Sequence, residues 1–268
     1  MLPLASVSVC IPAHRAEETI AETLGSVLEQ TYRDFEVIVL DNASGDRTGM
    51  VARAANDPRI RVERTPGPVP EPEHWNRVVQ LTRAPLVKLM RPDDLLHPRC
   101  LELQVAAMDA DPGLAVVASR RHVIDGESRV LVPRRGLSGL TGMRTGVEVA
   151  RRVVRHGGNP IGDPADVLFR REDFFAAGGW RADRQHILDL DLWMRLLQYG
   201  EFLGLPEPLA AVRATPVTDP DEAARQRQLL DGELADSQVL QVRGIDRTVS
   251  RLLAPAGAVR RKVLSALT

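Results

Sequence analysis

The tightest constraint on this chain is the rhythm of its first hundred residues. Short apolar runs, VSVCI at 7–11, FEVIVL at 35–40, RIRVER at 59–64 and LVKLM at 86–90, alternate with stretches of helical periodicity. After the first run, Ile20, Leu24, Val27 and Leu28 recur at a spacing that places them on one helical stripe. SGDRTGMVARAAN is expected to form a helix capped by Ser44, and HWNRVVQL a short helix after the Pro-rich loop at 65–73. Continuous apolar strands joined by amphipathic helices predict an α/β fold with a mostly parallel sheet covered on both faces.

Beyond a helix opened by Pro98 (PRCLELQVAAM), the pattern changes. LAVVAS at 114–119, RHVID, RVLVP and ADVLFRRE at 165–172 read as strands, and TGVEVARRVVRHG as a helix. LDLDLWMRLLQYG at 188–200 is a strong helix with Leu190, Trp193, Leu196 and Leu197 apolar. From about Asp219 the chain is polar and helical, which predicts a C-terminal appendage. With 35 basic and 36 acidic residues the net charge is −1, against a general nucleic-acid binder. Cys10 and Cys100 sit far apart in apolar stretches and read as buried thiols. No apolar run approaches the roughly 20 residues of a membrane span, and the start lacks a basic leader segment, so a soluble, cytoplasmic protein is expected.

In a sheet of this kind ligands bind beyond the carboxyl ends of the strands. Pro12 to His14, Asp41 with Asn42, and Asp93 with Asp94 all fall there. Pro92 fixes its own φ and pushes Arg91 toward an extended conformation, so the fourth strand ends abruptly and projects the aspartate pair. Adjacent carboxylates on a rigid turn suit Mg²⁺ or Mn²⁺, which share their coordination between one or two carboxylates and substrate phosphates. The plainer alternative is that one aspartate caps the next segment and the other is solvated. Asp41 and Asn42 can offer a carboxylate and an amide edge to a base or ribose, or can cap a turn.

Asp189 and Asp191 stand in the first turn of the 188–200 helix. The helix dipole favours carboxylates there, so capping and a general base are both open readings. No G-x-G-x-x-G follows any strand, so NAD and FAD have no visible seat. The six histidines show no metal-ligand spacing; His186, close to Asp189, is the one placed near candidate chemistry.

In order and spacing, VSVCIPAHRAEETIAETLGSVLEQTYRDFEVIVLDNASGDRT, WNRVVQLTRAPLVKLMRPDDLLHP and LDLDLWMRL resemble the family-two glycosyltransferases, from about Val7 to Arg213. The resemblance implies the Rossmann-like GT-A fold, with residues 1–112 as the nucleotide-sugar half, 113–215 as the acceptor half of the same domain, and 216–268 as the helical appendage. It implies that Pro12, Ala13 and His14 line the base, with Glu17 near the nucleotide. Asp41 and Asn42 match an Asp-Asp pair whose second member contacts the base; here that member is Asn42. Asp93 and Asp94 match the end of the metal motif, with Asp94 the direct ligand for Mg²⁺ or Mn²⁺. Many relatives carry a further aspartate where this chain has Arg91. Asp189 matches the general base, following Leu188 where a glutamate is usual. Asp191 and Trp193 match the rest of that motif and shape the acceptor pocket or the core, and Asn159 falls on the acceptor side, although Gly-Asn-Pro at 158–160 is also an ordinary turn.

The implied activity is a single, inverting sugar transfer from a nucleotide-diphosphate donor to a glycan, lipid-linked or small-molecule acceptor. The Q-x-x-R-W motif of processive synthases is absent. A non-catalytic nucleotide-sugar-binding protein and a sugar nucleotidyltransferase are the alternatives; the latter needs a Gly-rich loop where CIPAHRAEE has none. The tail RLLAPAGAVRRKVLSALT mixes apolar and basic residues, an arrangement that can rest peripherally on an anionic membrane or dock as a helix.

Overall fold

A computed structural model describes residues 5–184 and 187–214. The expected appendage, the basic tail and His186 lie outside the described residues. The first half follows the alternation of the sequence: β1 (Val7–Ala13), α1 (Ile20–Leu28), β2 (Phe35–Asp41), α2 (Thr48–Ala54), β3 (Ile60–Arg64), α3 (Glu71–Gln80) and β4 (Leu86–Leu89). A two-residue β5 (Leu95–Leu96), α4 (Cys100–Ala110), β6 (Leu114–Ile124), β7 (Val130–Arg135) and β8 (Gly142–Arg144) come next. The described chain then runs through α5 (Gly146–His156), a single 3-10 turn (Pro164–Asp166), β9 (Val167–Arg170), α6 (Arg171–Ala177), α7 (Leu188–Leu196) and β10 (Glu201–Arg213).

These strands form one sheet in the order β3-β2-β1-β4-β9-β6-β10-β5, with β7 beside β6 and β8 beside β10. The first four are parallel, as expected of strands joined by crossover helices. The second half corrects the expectation of a mostly parallel sheet. β9 enters antiparallel to both β4 and β6, and β10 is parallel to β6 but antiparallel to β5 and β8. The order reverses at β1: one crossover leads outward to β2 and β3, the next returns to β4 on the other side. That reversal opens a crevice at the carboxyl ends of β1 and β4.

Alternation along β1 feeds two cores. Cys10 belongs to a core that also holds Val78 and Val79 of α3 and Val149, Val153, Trp193 and Leu196 from α5 and α7. Val9 and Ile11 face the other side, among Ile20, Leu24 and Val27 of α1 and Leu101 and Val105 of α4. Both cysteines are buried free thiols.

Three local readings change. Strand β6 is continuous through Ile124 rather than divided in two. Helix α2 begins at Thr48, whose N–H is taken by Asp46 Oδ1 at 3.0 Å; the Ser44 hydroxyl instead accepts the Arg15 N–H. Strand β10 is marked by no periodicity, because Pro206 and Pro208 interrupt it. Its register against β6 shifts at Pro208, where a residue without an N–H cannot continue the ladder.

Candidate active site

The carboxyl end of β1 and the turn after β2 form one edge of the crevice. Pro12 and Ala13 are buried and paired with Leu40 and Asp41. Asp41 is sealed: Oδ1 accepts the Ser44 N–H at 3.0 Å, and Oδ2 pairs with Arg64. Asn42 uses its amide on the Pro-rich loop, donating to the Val69 carbonyl and accepting the Val69 N–H, both at 2.9 Å. Its own carbonyl is 3.0 Å from His14 Nδ1, which leaves that exposed ring against the turn. Glu17 accepts from the Arg47 N–H at 2.9 Å and Nε at 3.2 Å.

The end of β4 carries the aspartate pair. Thr19 Oγ1 donates to the Pro92 carbonyl at 2.9 Å and pins the turn that Pro92 creates. Asp94 is fully buried; Oδ1 accepts the Arg213 N–H at 3.2 Å, while Oδ2 has no hydrogen-bond partner. Burial raises the Asp94 carboxyl to about 7 despite the opposing pull of Arg91. Asp93 is about one-third exposed. The Arg91 guanidinium lies 3.6 Å from Asp93 Oδ1 and 3.5 Å from Asp94 Oδ1, and donates to the Arg213 carbonyl at 3.0 Å.

Next to this pair is a cavity of about 360 Å³, lined by Glu71, Trp75, Arg91, Asn159, Asp163 and Asp189 among others. Asp189 enters from the first turn of α7, held by Leu190, Trp193 and Leu196 in the core. Oδ1 is shielded without a hydrogen-bond partner, and the residue lines the cavity. A helix N-terminus normally favours an ionised carboxylate. Here burial, reinforced by Asp163 and Glu71, outweighs it and raises Asp189 well above the usual carboxylate range. Burial also raises Glu71, with Arg91 opposing. Behind the cavity, Trp75, Trp180, Phe169 and Trp193 form a chain of ring contacts with centroids 5.4–6.4 Å apart.

Of the two readings for Asp191 and Trp193, pocket or core, the structure has the core, while Asn159 reaches the cavity. Asp191 is buried and paired with Arg195, whose Nε and Nη2 donate at 2.9 and 2.7 Å; Trp193 is in the core and donates Nε1–H to the Gly162 carbonyl at 3.1 Å. Neither lines the cavity. Asn159 does, but its side chain shapes its own turn, accepting from the Ile161 and Gly162 N–H groups at 3.1 Å. That turn requires glycine at 162: φ is +145°, and a Cβ there would lie 2.3 Å from Asp166 Oδ2. Glu71, Trp75 and Arg213 escape the sequence reading. Glu71 falls in what reads as a proline loop, and Arg213 in the unmarked strand β10.

The donor chemistry for a divalent cation fits in part. Asp94 Oδ2 is a buried oxygen without a partner, and Asp93 offers an accessible carboxylate beside it. Two such ligands leave room for phosphate and water oxygens, the usual arrangement for Mg²⁺. Among the described residues no group of three or more acidic, His or Cys side chains forms a closed metal cage. Nor is any helix among them long and apolar enough to cross a membrane.

A half-parallel sheet with a carboxylate-lined crevice at its topological reversal has the α/β architecture in which ligands bind at the strand ends, and comparison with known proteins shows the family. The model of the family "Glycosyl transferase family 2" matches residues 8–175, so the chain belongs to that family and is a glycosyltransferase. It is 29% identical over 232 residues to the uncharacterized protein MT1568 of Mycobacterium tuberculosis, covering 84% of this chain and 72% of the relative. It is 28% identical over 214 residues to the putative glycosyltransferase EpsE of Bacillus subtilis, covering 77% and 72%. In structure it is similar to S. aureus TarS 1–349 in complex with UDP-GlcNAc, with a TM-score of 0.67 at 15% identity over 94% of this chain and 71% of that one. A Pyrobaculum calidifontis mannosyltransferase solved with GDP-Man and Mn²⁺ gives a TM-score of 0.64 at 17% identity, over 99% and 76%. At these identities the structural likeness concerns the GT-A fold.

Proposed function

We propose that this glycosyltransferase moves one sugar from a nucleoside-diphosphate donor to an acceptor hydroxyl with inversion at the anomeric carbon. The observation that carries the reading is the shared cavity of Asp189 and Arg91, the latter in contact with Asp93 and Asp94. Donor and acceptor halves, residues 1–112 and 113–215, would then contribute opposite walls of one crevice. Pro12, Ala13, His14, Glu17, Asp41 and Asn42 form the nucleoside side. There the Asn42–Val69 bonds hold the proline loop in place, and the Asp41–Arg64 pair supports the turn.

Asp93 and Asp94 would hold Mg²⁺ or Mn²⁺, whose charge, when bound, offsets charge building on the departing diphosphate. Asp189 accepts the acceptor hydroxyl proton as the oxygen forms its bond to the anomeric carbon and the bond from that carbon to the diphosphate breaks. A single displacement from the opposite face inverts the centre. The raised pKa suits Asp189 to this role, because a stronger proton acceptor gains more from the transfer. Trp75 and the aromatic wall behind it exclude water from the reacting atoms.

Structural neighbours solved with UDP-GlcNAc and with GDP-Man, and an Escherichia coli relative named for a diphosphoundecaprenol-linked acceptor, support a sugar nucleotide as donor and a glycan, lipid-linked or small-molecule acceptor. With a sugar nucleotide as donor, we read the enzyme as cytoplasmic. Asp189→Asn is the deciding variant: with a sugar-nucleotide panel, turnover should fall by roughly 10²–10⁴-fold with nucleotide affinity retained. Equal turnover in the variant removes Asp189 from the mechanism.

A further inference from the structure

Arg91 stands where many family members carry an acidic residue, and its surroundings give it more than the role of a counter-ion. Its contacts with Asp93 and Asp94, at 3.6 and 3.5 Å, are longer than the roughly 2.7–2.9 Å of a well-formed charge-assisted hydrogen bond. The guanidinium is oriented instead by a neutral acceptor, the Arg213 carbonyl at 3.0 Å, while its Nε is buried without a hydrogen-bond partner. The turn that carries it is pinned at Pro92 by Thr19. Arg91 is thus a preset cation: Nε is shielded, Nη2 is engaged, and Nη1 makes no hydrogen bond among the described residues.

Among the described residues it is also the sole basic side chain lining a cavity to which Glu71, Asp163 and Asp189 contribute carboxylates. A diphosphate brought there meets repulsion wherever these carboxylates are ionised. Arg121 offsets Asp163 at 2.8 Å, but it is also held by Asp166 at 2.7 Å and does not line the cavity, so it is not open to a diphosphate. Arg213 is likewise engaged, by Glu22 and by the Asp125 and Asp93 carbonyls. A planar guanidinium held by its other nitrogens and keeping its Nη1 donors matches a phosphate oxygen in charge and geometry.

We infer that Arg91 binds the donor diphosphate directly, so that nucleoside-diphosphate affinity has a component carried by the protein that persists without a divalent cation. The inference rests on the donor reading above and deepens it. Under it the roles separate, with Asp93 and Asp94 serving the metal and Arg91 serving the phosphate oxygens. A merely structural Arg91 would steady Asp94 and touch no ligand.

The test is calorimetric titration of UDP, GDP and dTDP, and of the matching monophosphates, into the full chain with Mn²⁺ or with EDTA. Wild type, Arg91→Gln and Arg91→Lys are compared, with thermal melts to establish that each is folded. The diphosphate that binds should keep its affinity within about tenfold on chelation, and Arg91→Gln in EDTA should then weaken it by roughly tenfold or more. The preference for diphosphate over monophosphate should collapse in Arg91→Gln, with Arg91→Lys intermediate, since an ammonium keeps the charge and loses the fork. Wild-type binding that vanishes in EDTA overturns the inference. So does an Arg91→Gln protein whose melting temperature falls while its diphosphate preference is unchanged. Should no diphosphate bind wild type under either condition, the donor reading itself fails, a result distinct from loss on chelation alone.

Discussion

Asp189 answers two opposed demands, one from folding and one from chemistry. Because its pKa is raised in the folded state, that state holds the proton more tightly than the unfolded chain. Stability is therefore greatest below the ordinary aspartate pKa and declines as pH rises toward the folded value. Asp189→Asn removes that penalty, so at neutral pH the variant should melt a few degrees higher while losing turnover, readable by paired calorimetry and assay. The same shift sets the pH profile. The acid limb of kcat/KM should lie above the usual carboxylate range, and Glu71→Gln, by removing one repelling charge, should move it to lower pH. An unmoved limb in that variant would exclude Glu71 from the field at Asp189. Position and residue type marked Asp189 in the sequence; its altered acidity depends on burial and on Glu71 and Asp163, which are 118 and 26 positions away by sequence number.

Among the elements, the segment around the 3-10 turn positions the cavity wall. Fully buried Asp166 is satisfied on one oxygen by Arg121 Nη1 at 2.7 Å and the Asp163 N–H at 2.9 Å. Its backbone carbonyl accepts from Gln104 at 2.7 Å, and Gln104 in turn accepts from the fully buried Lys88 at 2.8 Å. Arg121→Met leaves a buried carboxylate without its partner, and should cost about 3–5 kcal/mol in chemical denaturation. Gly162→Ala meets Asp166 head-on and should cost roughly 2–3 kcal/mol, with loss of activity because the wall carrying Asn159 and Asp163 must shift. None of these partnerships has a periodic signature. They join residues from β4, α4, β6 and the 3-10 turn, and each residue alone reads as an ordinary polar side chain.

Across the full sheet, strand pairing makes the two proposed halves interdependent. β4 pairs with β1 on one side and β9 on the other, so one of its edges is covered by residues beyond 112. A fragment of residues 1–112 should accordingly lack cooperative melting, whereas the full chain should show one main transition for the sheet, both measurable by circular dichroism. Arg213 adds a polar tie across the same divide, binding Glu22 of α1 at 2.9 Å and both backbone and side chain of the aspartate turn. Arg213→Ala removes the side-chain bonds to Glu22 and to the Asp125 and Asp93 carbonyls and should cost about 1–3 kcal/mol in chemical denaturation, while Asp94 and Arg91 keep the backbone N–H and carbonyl of that residue.

Residue order alone was enough to specify the local layer. Apolar runs and helical stripes marked β1 to β4, α1 to α5 and α7, and strand ends marked where carboxylates would gather, because periodicity and strand ends are properties of neighbours along the chain. Everything that depends on distant neighbours came from packing. Packing selected β10 despite its prolines, since a bulge beside β6 removes the need for the missing N–H groups. It turned Asp191 and Trp193 into the core while leaving Asp189 at the cavity, a choice made by which face of α7 meets the sheet. It also brought Arg213 to Arg91 and Asp94 over more than a hundred residues of separation, and burial at that meeting point raises the Asp94 carboxyl.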